Sequence, residues 1–255
     1  MIGENGFVLE NDVELPFLGF DAAGMQDANV LRAALNAGYR HFYVVETSCA
    51  ALEECRKAAG LTRRELFLTA SVSPADADAM QHEINRLLDA PGVLYLDLLL
   101  LSAPAGDTRD TAADWRVLEE FYNLGLVRAI GLRGFLPQHI LPLLRTAKVK
   151  PMANLLPYAP GRIPAVTAAF CLSHGVQLLG GEPFVRGEAL SEPIVLSLAE
   201  RYGKTAAQVC LRFALQNNVL PLLRATDAAD LRKCFGIFDF ELSLEELYEL
   251  MTIGE

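Results

Sequence analysis

Eight short apolar runs recur along the chain, and helical spacing follows each of them. The runs are FLGF (17–20), RHFYVV (40–45), LFLTAS (66–71), LDLLLL (96–101), VRAIGL (127–132), KPMAN (150–154), VQLLG (176–180) and VLPLL (219–223). Several have no polar alternation, which suits strands buried on both faces. Helical patterns cover 27–37, 50–59, 76–89, 111–123, 138–146, 163–174, 194–203 with 205–216, and 228–235. Eight strand-then-helix units predict an α/β fold, a single (β/α)8 TIM barrel. Ahead of it FVLENDVELP predicts a β-hairpin turning at Asn11-Asp12. Ser243 with Glu246 forms a capping box that opens an extra C-terminal helix over 244–251. No linker interrupts the pattern, so residues 1–255 read as one domain. The competing open doubly wound sheet lacks its G-x-G-x-x-G signature.

Composition narrows the partners. The chain has 255 residues, 52% of them hydrophobic, enough for one sizeable core. The net charge is −10 with no block of like charges, which argues against nucleic acid and anionic membrane as partners. No apolar run approaches the ~20 residues of a membrane span. The opening MIGENGFVLEND has no basic n-region or apolar h-region, so a cytoplasmic location is expected. The five cysteines (Cys49, Cys55, Cys171, Cys210 and Cys234) are scattered and odd in number, as reduced thiols rather than a disulfide or zinc framework would be. Cys49 falls in an expected loop, which makes it a candidate reactive thiol. No His, Cys or carboxylate cluster has metal-ligand spacing.

The motifs resemble those of a known family. VELPFLGF, NAGYRHF, LTRRELFLTA, YLDLLLLSAP, WRVLEEFYNLGLVRAIGL, AKVKPMANLLPYAP, AERYGKTAAQVCLRFALQNNVLPL and FDFELSLEEL follow, in order, segments of the aldo-keto reductase superfamily. The resemblance covers nearly the whole chain. It implies the same barrel and, as the usual activity, NADPH-dependent carbonyl reduction.

Residue by residue, the resemblance also implies a loss. The family uses a tyrosine as proton donor, a lysine to tune it, an aspartate to hold the lysine and a histidine to orient the carbonyl. The matching places hold Ser48, Ser71, Tyr43 and Ser102. A serine hydroxyl is a far weaker acid than a lysine-tuned phenol. Tyr43 is itself a phenol, but no matched lysine stands beside it. The nucleotide contacts thin out similarly. The Ser-Asn pair that grips nicotinamide is Arg133-Gly134, and Asn-Gln is Asn154-Leu155. The stacking tyrosine is Gly181, and the serine after it is Glu182. Lysine-serine at the 2′-phosphate is Arg224-Ala225, and the next arginine is Asp230. Asn154, Arg186 and Arg224 remain as weak cofactor-binding candidates.

The loops after the strands would form a polar mouth containing Tyr43, Glu46, Ser48, Ser71, Ser102, Arg133, Asn154, Glu182, Arg186 and Arg224. Arg133 and Glu182 could act together on a small polar or anionic molecule, or form a solvated ion pair worth under about 1 kcal/mol. Of the four histidines only His41 sits on a strand, facing inward with Tyr43, as a core residue would. The first expectation is therefore a reductase-like barrel without its usual chemistry or cofactor, a pseudoenzyme or binding protein. The alternatives are a cofactor-free enzyme on a small polar substrate, and a residual NADP-dependent oxidoreductase.

Overall fold

The computed structural model describes residues 6–104, 111–181, 187–225 and 227–253. A two-stranded antiparallel hairpin comes first: β1 (Gly6–Val8) and β2 (Glu14–Pro16). Its turn runs through Asp12 in the left-handed region, φ 63°. Asn11 Nδ2 donates to the Arg128 carbonyl at 2.9 Å, which holds the hairpin against the barrel base.

The barrel strands are β3 (Gly19–Asp21), β4 (His41–Tyr43), β5 (Phe67–Val72), β6 (Leu98–Ser102), β7 (Ile130–Arg133), β8 (Ala153–Leu156), β9 (Gln177–Gly181) and β10 (Val219–Leu223). They pair in sequence order, all parallel, and β10 closes on β3 through Leu222–Gly19 and Leu223–Phe20. This is the predicted eight-stranded closed barrel with its hairpin. Leu98 to Leu101 are fully buried, which explains a strand with no polar alternation. Gly19 is needed where the barrel closes: a Cβ there would lie 2.3 Å from Leu222 Cδ2 and 3.0 Å from His41 Nδ1.

The helices are α1 (Ala28–Ala37), α2 (Glu46–Ala58), α3 (Ala77–Asp89), α4 (Thr111–Asn123), α5 (Pro137–Thr146), α6 (Ala165–Ser173), α7 (Pro193–Tyr202), α8 (Ala206–Gln216), α9 (Ala228–Phe235) and α10 (Leu244–Met251). Asp27 caps α1 by accepting from Asn29 N, and Gly38 closes it in the left-handed region. Thr205 with Gln208, and Ser243 with Glu246, form the capping boxes of α8 and α10. Helix α2 begins at Glu46, four residues before the expected start at 50, because its cap is unusual. Val45 has no capping side chain. Instead Ser48 reaches back, accepting from Val45 N at 3.1 Å and donating to Val45 O at 2.8 Å.

One buried polar cluster lies at the strand beginnings. Asp97, just before β6, is 1% exposed. It accepts from Arg63 Nη2 at 2.8 Å, Leu68 N at 2.9 Å and Arg128 Nη1 at 2.7 Å. Trp115 of α4 is buried, its indole N–H donating to Val149 O at 2.9 Å. No described helix is long and apolar enough to cross a membrane.

Candidate active site at the barrel mouth

A cavity of about 750 Å³ opens at the carboxyl ends of the strands, bordered by Tyr43, Ser102, Arg133, Leu155, Gly181 and Arg224, with Asp21 and Ser73 at its edge. Strand ends supply these groups because alternate residues of a barrel strand face inward and the last one opens to the mouth.

Tyr43 ends β4, and its ring is 5% exposed. Its hydroxyl lies 2.5 Å from Ser71 Oγ of β5. Arg133, at the end of β7, crosses the opening. Its Nη1 donates to Tyr43 Oη at 3.1 Å and to Ser71 Oγ at 3.3 Å, and its guanidinium carbon stands 5.6 Å from the Tyr43 ring centre. The sequence placed no cation beside Tyr43; the folded barrel brings one from the opposite part of the wall. Ser102 pairs with Arg133 in the β6–β7 register and also faces the cavity. Across the mouth Arg224 Nη1 lies 3.3 Å from Asp21 Oδ2, and its Nη2 donates to Ala23 O at 3.3 Å.

Three expected mouth residues lie elsewhere. Ser48 is fully buried, and its hydroxyl is consumed by the α2 cap. Asn154 is also fully buried and turned to the outside of the wall. Its amide donates to Phe135 O at 2.9 Å and to Cys171 Sγ at 3.6 Å, while its neighbour Leu155 takes the inward place. Glu46 is the first residue of α2, where it forms an ion pair with Arg86. Glu182 and Arg186 lie outside the described residues. Cys49 is no exposed loop thiol: it is buried on α2, bonded to Val45 O at 3.3 Å, and burial pushes the thiol up to about 11. His41 is a core residue one layer down, with Nε2 2.8 Å from Thr69 Oγ1 and Nδ1 unpartnered among the described residues. Burial lowers it to about 3, so it is neutral at physiological pH. Among the described residues no group of three potential ligands could hold a metal. Ser73, which the sequence reading left out, lines the cavity; lying two residues after Ser71, it should share that strand's face.

The described residues fit NADP in part. The cavity has room for a nicotinamide, and Arg224 is a cation at its rim. The wall at Leu155 and Gly181 supplies neither an amide nor an aromatic ring. A Cβ added to Gly181 would meet Leu155 Cδ1 at 2.9 Å.

Known proteins agree with this architecture. Residues 24–255 match the model of the aldo/keto reductase family. A glyoxal reductase of Bacillus subtilis is 32% identical over 264 residues, covering 97% of this chain and 92% of the relative. A morphine 6-dehydrogenase of Pseudomonas putida is 28% identical over 278 residues, covering 98% and 92%. Among solved structures, the aldose reductase of Schistosoma japonicum superposes with a TM-score of 0.89 at 24% identity, covering 97% of this chain and 91% of that one. A Bombyx mori aldo-keto reductase solved in complex with NADP gives 0.86 at 22%, covering 96% and 91%. The two structural matches speak for the barrel alone. The family match over most of the length, with the relative above 30% identity, shows that this chain belongs to the aldo/keto reductase family.

Proposed function

We propose that the chain is an aldo/keto oxidoreductase of altered chemistry, in which Tyr43 protonates a carbonyl held in the mouth and Arg133 assists it. One observation carries this reading: Tyr43 lines the cavity, with the Arg133 guanidinium 3.1 Å and Ser71 Oγ 2.5 Å from its hydroxyl. A phenol beside a fixed cation is the pairing that carbonyl reduction needs. As the carbonyl oxygen takes the proton, the guanidinium stabilises the phenolate left behind, and Ser71 holds the ring oxygen in place. Bound NADPH would supply the hydride, and Arg224 is the described residue best placed to meet its phosphate. The names of the curated relatives support the oxidoreductase class.

The test is NADPH oxidation by purified protein against an aldehyde panel that includes glyoxal, with Tyr43→Phe as the comparison. The reading expects measurable turnover that falls by about 10²-fold in Tyr43→Phe, the scale of a lost general acid. A wild-type rate equal to buffer sinks it.

A second reading has its own observation. Leu155 and Gly181 line the wall where the family resemblance asks for an amide and a ring, and Asp21 already balances Arg224 at 3.3 Å. A barrel that keeps its shape and binds a small molecule without reducing it accounts for those features. NADPH fluorescence separates the two, since micromolar binding supports the first reading and silence the second.

A further inference from the structure

The hydroxyl pair at the mouth leaves a proton to spare. Tyr43 and Ser71 have two hydroxyl protons and share one 2.5 Å contact, which uses one of them. Both oxygens also accept from Arg133 Nη1. Whichever hydroxyl donates in the shared bond, the other keeps an O–H with no acceptor among the described residues. Arg133 itself is exposed, and its contacts among the described residues are to these two neutral hydroxyls. The cluster is therefore rich in donors, and a ligand that only accepts complements it.

Charge narrows the choice. Arg224 already faces Asp21 at 3.3 Å, whereas no carboxylate among the described residues pairs with Arg133. A guanidinium uncompensated among the described residues matches one negative charge, and its planar fork fits the two oxygens of a carboxylate. Ser102, beside Arg133 on the next strand and facing the cavity, offers a further hydroxyl. A cavity of about 750 Å³ has room for a small organic acid but no second free cation, among the described residues, for a dianion.

We propose that the mouth recognises the carboxylate of a small organic acid, with Arg133 as its ion-pair partner and the spare hydroxyl proton of the Tyr43–Ser71 pair as a second donor. This rests on the mouth being the ligand site, as in the proposed function, and not on hydride transfer.

The experiment is isothermal titration calorimetry of the whole chain, without NADPH, using pyruvate, lactate and benzoate, their neutral amides, and inorganic phosphate. The expected result is a Kd below about 1 mM for at least one acid. Arg133→Gln should weaken it by about tenfold or more, as loss of a charge-assisted bond predicts. The matching amide should bind no better than the variant does. Arg64→Gln, an exposed arginine ahead of β5 at the opposite end of the barrel, should match wild type and so rule out a general charge effect. Circular dichroism of Arg133→Gln should show wild-type folding, since the side chain is exposed. Three results overturn the proposal: no acid giving heat up to about 10 mM, equal affinity in Arg133→Gln, or phosphate binding more tightly than every carboxylate. Acid binding lost in Arg133→Gln, alongside nil NADPH oxidation, keeps the carboxylate site and removes only the reductase reading.

Discussion

Arg133 Nη1 donates to the Tyr43 hydroxyl at 3.1 Å, joining two strands whose residues are 90 apart in sequence. If this contact assists proton transfer, Arg133→Met should lower kcat for NADPH-dependent aldehyde reduction by about tenfold to 10²-fold. It should leave the melting temperature near wild type, because the side chain is exposed. Steady-state rates with a parallel thermal melt check both halves; a large drop in melting temperature would make Arg133 a structural residue.

The cofactor wall gives a gain-of-function test. Leu155 and Gly181 stand where the family resemblance expects glutamine and tyrosine. Leu155→Gln combined with Gly181→Tyr should tighten NADPH binding by about tenfold, through one hydrogen bond and a stacked ring. Changing Leu155 first matters, since its side chain is what a Cβ at position 181 would strike. Fluorescence titration of single and double variants checks it, and unchanged affinity in the double variant counts against any nicotinamide at this wall.

His41 predicts a pH dependence of stability. Its ordinary value is 6.5 and burial lowers it to about 3 in the folded chain. Below about pH 6.5 the unfolded chain takes up a proton that the folded chain refuses. Stability therefore falls as pH drops from there toward about 3, and it is unaffected above. The slope approaches about 1.4 kcal/mol per unit, so roughly 2–3 kcal/mol is lost by about pH 4.5. Urea midpoints of wild type and His41→Gln at pH 7 and pH 4.5 isolate this share, since the carboxylates titrate equally in both.

At the other end of the barrel, Asp97 balances buried Arg63 and also accepts from Arg128 and Leu68 N. Asp97→Asn leaves the Arg63 guanidinium, 7% exposed, without its counter-charge. The expected cost is about 3–5 kcal/mol. A denaturant titration at pH 7 reads it, and a loss below about 1 kcal/mol would show that water reaches Arg63.

Much of the barrel was legible because burial on both faces writes itself into local composition. The LLLL of β6 is one such strand, and each of the eight expected strands has its counterpart. The start of α2 was not, because its cap is a serine inside the first turn bonding backwards, while Glu46-Thr47-Ser48 looks like loop. The site was legible in part. Tyr43, Ser102, Arg133 and Arg224 do border one cavity, as strand-end residues should. The side from which Asn154 faces depends on strand parity at β8, and the inward place went to Leu155. The Tyr43–Arg133 contact had no local signal at all, since only closure of the wall brings the two strand ends together.

The serine in the first turn of α2 also constrains what position 48 can hold. Placing a tyrosine at position 48 would remove the hydroxyl that bonds both polar groups of Val45, at roughly 1 kcal/mol for a lost cap. It would also have to fit a ring where the present side chain is fully enclosed. A phenol introduced at position 48 therefore works against the start of this helix, whereas the phenol at position 43 already sits in the barrel wall at no such cost.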